Sequence, residues 1–195
     1  MAQATDTTTV LLVGVGGQGT ILAGDLLAKT AAASGFDVKI SEIHGMSQRG
    51  GSVSTVVRFG SDVASMICDP GCADVVVSFE AVEALRARQF LAVDGGKLFV
   101  NDEVITPVSV AIGNGEMPAD VDAELDALDA VRIDASGIAR EVGSPKSTNV
   151  VLMGALSTAL PFEAQVWRKV IAERVPPKTM DANLAAFDAG RETVE

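Results

Sequence analysis

Short apolar runs alternate with longer amphipathic stretches along most of this chain. The apolar runs are continuous and lack the polar alternation of a half-exposed strand, which is typical of strands buried on both faces. The stretches between them carry Leu, Ala and charged residues at helical spacing. The predicted strands are 9–13, 37–40, 52–59, 73–79, 97–101 and 131–134, and the predicted helices are 20–34, 80–91, 119–130, 135–142, 148–160, 163–174 and 178–191.

The alternation of strands and helices predicts an α/β protein. Such an order favours a mainly parallel sheet covered by helices on both faces. The last three predicted helices follow one another and are separated by Pro161 and the pair Pro176-Pro177, which predicts a helical carboxyl-terminal layer. The expected architecture is a three-layer Rossmann-like fold, and 195 residues without an internal repeat predict one domain over 1–195.

The composition excludes several classes of partner. The net charge of −11 argues against nucleic acid, because phosphate binding rests on clusters of Lys and Arg. No apolar run approaches the roughly 20 residues of a membrane span. The first six residues lack the basic and apolar regions of a signal peptide. We therefore expect a cytoplasmic protein with neither a nucleic-acid nor a membrane partner.

Cysteine and histidine are too few for a metal centre. Cys68 and Cys72 are the two cysteines, and a predicted turn, Asp69-Pro70-Gly71, separates them. An iron–sulfur cluster normally takes four cysteines, and structural zinc takes four Cys or His ligands. We predict no metal ligand in this chain and assign no catalytic residue, because a Ser-His-Asp order and a P-loop lysine are also missing from the sequence.

A glycine-rich turn follows the first predicted strand. Gly14, Gly16 and Gly19 fit the G-x-G-x-x-G pattern, with Gly17 and Gln18 between them. Such a turn leads from a strand into a helix and can approach a phosphate closely. With Glu42 as the acid that binds a ribose, it would indicate an NAD(P)- or flavin-dependent oxidoreductase, or a nucleotide-binding module. The same glycines also serve where a strand enters a helix under a close-packed neighbour.

A polar, glycine-hinged loop over residues 41–53 is the second candidate. It contains the only histidine of the chain, and Arg49 offers a planar fork of donors for a carboxylate or a phosphate. The alternative is an ordinary solvated connection. The candidate contact residues in it are Glu42, His44, Met46, Ser47, Gln48, Arg49, Gly50 and Gly51.

Two further polar residues lie at predicted helix starts. Glu80 follows the fourth strand, where parallel sheets gather ligand groups, although its charge also complements the helix dipole. Asn149 follows Lys146-Ser147-Thr148, where capping of free amides is the simpler explanation. The acids between Asp120 and Asp129 form a solvated face in this interpretation.

The chain resembles a known family at these motifs. The resemblance runs over residues 14–19, 42–53, 79–86, 149–156 and 183–190, and the string His44-Gly45-Met46-Ser47-Gln48-Arg49-Gly50-Gly51 is its most specific part. These residues resemble the smaller, beta-type subunit of indolepyruvate:ferredoxin oxidoreductase. That subunit is equivalent to the gamma subunit or domain of the 2-oxoacid:ferredoxin oxidoreductases.

The resemblance implies a subunit of an enzyme that oxidatively decarboxylates an aryl 2-oxoacid. The products would be acyl-coenzyme A, carbon dioxide and reduced ferredoxin. In this family thiamine diphosphate and [4Fe-4S] clusters belong to a larger catalytic subunit, so this chain would hold no cofactor alone. Its role would be structural and substrate-side, with the loop around Arg49, together with Glu80 and Asn149, towards the partner or substrate.

Overall fold

A six-stranded mixed sheet forms the centre of the molecule. The computed structural model describes residues 7–44 and 51–194, with the backbone alone described for His44. The strands are β1 (Thr7–Val15), β2 (Asp37–His44), β3 (Ser52–Gly60), β4 (Val75–Ser78), β5 (Lys97–Asn101) and β6 (Val131–Ile133), in the spatial order β2-β3-β1-β4-β5-β6. The pairs β1–β4, β4–β5 and β5–β6 are parallel, whereas β3 runs antiparallel to both of its neighbours.

Helices cover both faces of this sheet. They are α1 (Thr20–Ala33), α2 (Ala81–Ala87), α3 (Val108–Ala111), α4 (Val121–Asp126), α5 (Ala135–Glu141), α6 (Thr148–Ser157), α7 (Ala164–Arg174) and α8 (Met180–Glu192). Short 3-10 turns at Arg88–Phe90 and Pro177–Thr179 continue α2 and precede α8. Among the helices of the described ranges, none combines the length and apolar character needed to cross a bilayer.

Successive residues of β1 point into two separate cores. Val10 and Leu12 belong to the larger core, which lies under α1, α5, α6, α7 and α8. Leu11 and Val13 belong to the smaller core, under α2 and α4. This alternation is the two-residue period of a strand that is buried on both faces. The α/β, mostly parallel, three-layer architecture predicted from the sequence is therefore confirmed.

Close backbone contact holds the carboxyl-terminal layer together. A Cβ on Gly154 in α6 would lie 2.1 Å from the carbonyl oxygen of Phe187, and one on Gly190 in α8 would lie 2.0 Å from that of Val151. These two glycines let α6 and α8 cross with their backbones almost touching. Trp167 of α7 is fully buried beside them and stacks on Phe187.

Some predicted boundaries were wrong, each for a tertiary reason. Residues 41–44 were assigned to a loop, but they continue β2 and pair with β3 as far as His44 and Val53. The helix predicted over 80–91 ends as α2 at Ala87, because the chain then turns to bridge Leu91 to Ala73. The helix predicted over 119–130 spans only α4, since Asp129 reverses the chain at a φ of 50°.

Candidate binding site at the carboxyl edge of the sheet

The carboxyl ends of β1 and β4 meet at a switch point of the sheet. These two strands are parallel neighbours, and the helices that follow them pack on opposite faces, α1 in the larger core and α2 in the smaller one. In open α/β sheets the crevice outside such a point is the usual place for a ligand. The predicted glycine turn and Glu80 both lie at this edge.

The glycine turn is tied to the sheet through its own backbone. The Gly16 amide donates to the carbonyl oxygen of Gly51 at 2.8 Å, and the Gln18 amide donates to that of Val15 at 3.1 Å. Gly19 then precedes α1 in the left-handed region, at a φ of 88°. The turn has the predicted place between strand and helix, and two of its amides already have protein partners.

The side chain of Gln18 folds back beneath the turn. Its Oε1 accepts from the Val15 amide at 2.7 Å, and its Nε2 donates to the carbonyl oxygen of Phe79 at 3.0 Å. A Cβ on Gly14 would lie 2.8 Å from Gln18 Oε1 and 2.9 Å from Phe79 Cβ. Gly14 is therefore required by packing alone, whether or not a ligand binds.

Asn149 packs against the last glycine of the turn. A Cβ on Gly19 would lie 2.7 Å from Asn149 Nδ2, which also donates to the Gly19 carbonyl oxygen over 3.4 Å. The interpretation of Asn149 as a helix cap was wrong, because it lies inside α6 after the cap residue Ser147. By contrast, nothing lies within 4 Å of a Cβ built on Gly17, so this glycine faces open space.

Glu42 does not lie beside the glycine turn. It is exposed, and in β2 it pairs with Thr55 of β3, which in turn pairs with Leu12 in β1. Two strand spacings, about 10 Å, therefore separate its backbone from β1. In the dinucleotide fingerprint the acidic residue follows the strand next to the turn. Here β3 lies between β1 and β2, so Glu42 does not follow the strand next to the turn.

The polar loop is described only at its two ends. Its entry at His44 and its exit at Gly51 both lie at the carboxyl edge, opposite the end of β1. Met46, Ser47, Gln48, Arg49 and Gly50 lie outside the described residues. At the exit, Ser52 Oγ donates to Glu83 Oε2 at 2.5 Å, and Arg86 donates to the other oxygen of that buried carboxylate at 2.8 Å. The loop exit is thus fixed to α2.

Glu80 is a buried structural carboxylate. Its side chain is 1% exposed, and Oε2 accepts from the Glu83 amide at 2.8 Å, which caps α2. Oε1 accepts from the Ile105 amide at 2.9 Å and so fixes the chain that follows β5. Both oxygens therefore have backbone partners, in agreement with the helix-dipole interpretation.

A second polar group at this edge was not predicted from the sequence. The buried Asn101 ends β5 and donates to the Phe79 carbonyl oxygen at 3.2 Å and to Glu103 Oε2 at 3.0 Å. Ser136 Oγ donates to the same Glu103 oxygen at 3.0 Å. The one sequence signal for this group is a polar residue that directly ends an apolar strand.

Two depressions flank these groups. The larger has a volume of about 450 Å³, and its lining includes one acidic residue, Glu103, and one basic residue, Lys146. Its lining residues are Gly17, Gln18, Phe79, Glu103, Ile105, Ser136, Pro145, Lys146 and Thr148. The smaller, of about 190 Å³, includes Gly51, Ser52, Glu80, Glu83 and Arg86. Both are lined by a mixture of polar and apolar residues, and the hydroxyl–carboxylate pairs in them, Ser136 with Glu103 and Ser52 with Glu83, are the hydrogen bonds described above.

The described residues offer no place for a metal ion. Across 7–44 and 51–194, no three His, Cys, Asp or Glu side chains converge to hold one. Cys68 and Cys72 lie at the opposite, amino edge, on the connection from β3 to β4, and both are free thiols. Burial raises the pKa of the Cys68 thiol, and the neighbouring Cys72 raises it further. Two thiols cannot hold a [4Fe-4S] cluster, which needs four.

Comparison with known proteins gives one family. Residues 9–193 match the family model described as pyruvate ferredoxin/flavodoxin oxidoreductase. The chain is 42% identical to the indolepyruvate oxidoreductase subunit IorB of Thermococcus kodakarensis, over 93% of each chain. It is 29% identical to the 2-oxoglutarate synthase subunit KorC of Methanothermobacter thermautotrophicus, over 95% of this chain and 94% of that one.

Solved structures share the fold. The gamma subunit of a keto/oxoacid ferredoxin oxidoreductase from Geobacter sulfurreducens superposes with a TM-score of 0.70 at 23% identity, over 96% of this chain and 98% of that one. The 2-oxoglutarate:ferredoxin oxidoreductase of Magnetococcus marinus, solved with coenzyme A bound, superposes with a TM-score of 0.74 at 22% identity. That match covers 97% of this chain but 31% of the longer one.

Proposed function

Because this chain belongs to the pyruvate ferredoxin/flavodoxin oxidoreductase family, we propose that it is the smaller subunit of an indolepyruvate or other aryl-pyruvate:ferredoxin oxidoreductase. The complete enzyme would oxidise and decarboxylate the 2-oxoacid. Two electrons would pass to ferredoxin, carbon dioxide would leave, and the acyl group would be transferred to coenzyme A. The whole of 1–195 would form one gamma-type domain of that enzyme.

One observation carries the choice of substrate class. Identity to the indolepyruvate subunit of Thermococcus kodakarensis is 42%, against 29% to a 2-oxoglutarate synthase subunit with similar coverage. Each alignment covers at least 93% of both chains, so the comparison is between nearly whole chains. It favours an aryl 2-oxoacid over 2-oxoglutarate.

The cofactors belong to a larger partner subunit in this proposal. The two thiols of this chain do not fit a [4Fe-4S] cluster, because such a cluster needs four cysteines. Held by the partner, thiamine diphosphate would stabilise the carbanion, and the iron–sulfur clusters would carry the electrons. This chain would contribute a rigid, polar carboxyl edge that packs beside the active site.

In this proposal the predicted contact residues of the polar loop face the larger subunit or its ligand. The loop that carries Met46, Ser47, Gln48, Arg49 and Gly50 starts and ends at the carboxyl edge, since His44 and Gly51 lie there. We assign Arg49 to an acidic or phosphate-bearing group of the partner or its ligand. The free thiols of Cys68 and Cys72 suit a reducing compartment, and the proposal includes the cytoplasm as its location.

The test is reconstitution with the larger subunit. The two purified chains are mixed, and reduction of ferredoxin is followed with indolepyruvate, phenylpyruvate, pyruvate or 2-oxoglutarate in the presence of coenzyme A. We expect activity with the aryl substrates in the mixture and none from this chain alone. A preference for 2-oxoglutarate or pyruvate would overturn the substrate class, and full activity of the larger chain alone would overturn the subunit role.

The alternative is a nucleotide-dependent oxidoreductase or nucleotide-binding module. Its support is the glycine turn, but Gly14 and Gly19 are both required by packing and Glu42 lies two strands from β1. Titration of NAD, NADP and FAD into the isolated chain distinguishes the two functions. Micromolar binding with hydride transfer would favour the alternative.

A further inference from the structure

The connection from β3 to β4 carries two cysteines at one tight turn. Cys68 directly precedes the sequence Asp69-Pro70-Gly71, and Cys72 directly follows it. The Cys72 amide donates to the Asp69 carbonyl oxygen at 3.1 Å, and Gly71 has a φ of 74°. Proline at the second position and a positive φ at the third are typical of a type II turn, in which the first and last Cα atoms lie less than about 7 Å apart. The turn therefore folds the chain back on itself between the two thiols.

The thiol of Cys68 is directed towards the closing end of this turn. Its Sγ lies 3.7 Å from the Asp69 carbonyl oxygen. The same oxygen accepts from the Cys72 amide, so the Cys68 sulfur and the Cys72 backbone meet at one acceptor. Burial raises the pKa of the Cys68 thiol, and Cys72 raises it further, by more than the adjacent Asp69 does. The two sulfurs therefore belong to one local site.

One side of this site is fixed, and the other can adjust. On the Cys72 side the Gly71 amide donates to the Gln89 carbonyl oxygen at 2.9 Å, which ties the turn to the 3-10 turn after α2. Cys68 lies on the other side, in residues 63–69, which form neither helix nor strand. A disulfide requires Cα atoms about 4.4 to 6.8 Å apart, and an irregular segment can shift slightly without loss of regular hydrogen bonds. A bond between the two sulfurs therefore requires no rearrangement of the sheet.

The two thiols differ in their access to solvent. Cys72 is exposed, whereas Cys68 is half-buried and packs against the smaller core. Oxidation of a thiol follows its exposure and its thiolate fraction, so an oxidant in solution should meet Cys72 first. Burial raises the pKa of Cys68, but the charge of Arg58, which donates to the Ile67 carbonyl oxygen at 3.1 Å, acts in the opposite direction. Cys68 is thus placed to attack an oxidised Cys72 from the inner side of the turn.

From this arrangement we propose that Cys68 and Cys72 form an oxidation site, at which a peroxide joins them in a reversible disulfide. The Cys72 thiolate attacks one oxygen of hydrogen peroxide, the O–O bond breaks, and Cys72 becomes a sulfenic acid while hydroxide leaves. The Cys68 thiolate then attacks the Cys72 sulfur, the S–S bond forms, and the S–O bond breaks with loss of a second hydroxide. The protons of the two thiols convert both hydroxides to water. The cysteines lose two electrons in total, and the peroxide gains them.

This site lies apart from the candidate binding site. The turn is at the amino edge of the sheet, whereas the glycine turn and Glu80 are at the carboxyl edge. In a reducing compartment a disulfide is normally transient and redox-sensing. The exposed Cys72 sulfur leaves the bond open to attack by a thiol reductant, which makes the oxidation reversible. The inference does not depend on the proposed function.

The experiment treats the reduced full chain with hydrogen peroxide and then alkylates the remaining thiols with iodoacetamide in denaturant. By intact mass, we expect the treated wild type to be a monomer that has lost two hydrogen atoms and takes up no alkyl group. Dithiothreitol should restore two thiols that can be alkylated. Proteolysis on the amino side of Asp69 cuts between the two cysteines, so the resulting peptides should separate only after reduction.

Variants of each cysteine separate the two steps. In Cys68→Ser the sulfenic acid on Cys72 has no partner thiol, so dimedone should trap it in higher yield than in the wild type. In Cys72→Ser the half-buried Cys68 should react with peroxide several times more slowly than Cys72 does in Cys68→Ser.

A substitution of Gly71 tests the role of the turn. Gly71→Ala strains a backbone with a φ of 74°, although nothing lies within 4 Å of the new Cβ, and it should slow disulfide formation several-fold. Gly143→Ala is the matched control, because Gly143 has a φ of 77° and equally open space but lies after α5, outside the site. This control variant should form the disulfide at the wild-type rate.

Three results would overturn the inference. They are disulfides between two chains, sulfinic acid at the cysteines in place of a disulfide, and two thiols that can still be alkylated after an excess of peroxide. Equal rates of disulfide formation in the wild type and in Gly71→Ala would overturn the role of the turn. The larger subunit takes no part in these measurements, so their failure is distinct from a failure of the proposed function.

Discussion

Gly19 and Asn149, 130 residues apart in the sequence, share one small space at the carboxyl edge. The left-handed backbone of Gly19 and the amide group of Asn149 leave no room for a Cβ between them. The sequence marked both residues as separate candidates, one for a phosphate turn and one for a helix cap. Their contact fixes the start of α1 against α6 at the switch point.

The first prediction concerns the contact between Gly19 and Asn149. Gly19→Ala should destabilise the chain by about 1 to 3 kcal/mol through its positive φ, with a further loss from the clash with Asn149. Gly17→Ala is the matched control, because Gly17 also has a positive φ, of 107°, but open space around its Cβ. Chemical denaturation of both variants measures the difference.

The double variant Gly19→Ala with Asn149→Ala isolates the contact itself. Truncation of Asn149 removes the atoms nearest to the new Cβ, so the double variant should lose less stability than the two single losses added together. Strict additivity, or equal losses for Gly17→Ala and Gly19→Ala, would show that the backbone conformation alone requires glycine here.

The second prediction concerns Arg49. Its replacement by Ala should leave the unfolding temperature of the isolated chain unchanged but weaken binding to the larger subunit, or turnover of aryl pyruvate by the complex. Loss of a buried interface charge pair typically costs about 2 to 5 kcal/mol, against well under about 1 kcal/mol for a solvated charge. Arg49→Lys should recover little, because an ammonium lacks the planar fork. Unchanged affinity and turnover in both variants would make the loop a simple connection.

The third prediction concerns the pH dependence of stability at Asp25. Burial raises the pKa of this α1 carboxyl, but hydrogen bonds from Arg174 and Lys29, with their charges, outweigh burial and hold the pKa below its usual value of 3.8. A carboxyl with a lowered folded pKa stabilises the protein above its unfolded pKa, and this contribution is lost as the pH falls through the folded pKa. Asp25→Asn should therefore be less stable than the wild type near neutral pH, by under about 1 kcal/mol for this partly exposed pair.

Denaturation midpoints of the wild type and of Asp25→Asn, measured from about pH 7 to about pH 3, check this prediction. The control variant is Asp94→Asn, because Asp94 is an exposed aspartate before β5. The difference in stability between the wild type and Asp25→Asn should disappear as the pH falls below about 4, where the wild-type carboxylate takes up its proton. A gap that stays constant over the whole range would contradict an ionic role for Asp25.

The fourth prediction concerns the two thiols. Cys72 is exposed, whereas Cys68 is half-buried and its pKa is raised by burial and by Cys72. An alkylating reagent reacts with the thiolate, so Cys72 should be modified first at neutral pH in the native chain. Intact mass measured over time follows the reaction, and Cys72→Ser should remove the fast phase while Cys68→Ser removes the slow one. Equal alkylation rates in Cys72→Ser and Cys68→Ser would contradict the prediction that Cys72 reacts before Cys68.

The sequence determined the elements that depend on neighbouring residues. The continuous apolar runs located all six strands, and the bounds of β5 were predicted to the residue. Gly14 to Gly19 predicted a turn between β1 and α1, because the positive φ of Gly17 and Gly19 is a local requirement that glycine meets. Fold class followed from the order of these elements, since strands joined by helices favour a parallel sheet.

The tertiary structure alone decided which residues meet at the candidate site. Periodicity along the chain does not specify which strand pairs with which, so it could not place β3 between β1 and β2 and thereby separate Glu42 from the turn. Nor could it bring Gln18 and Asn101 to one carbonyl oxygen, that of Phe79. Such contacts join residues that are distant in sequence, and their hydrogen bonds exist only once the strands and helices that carry them have packed in a particular register.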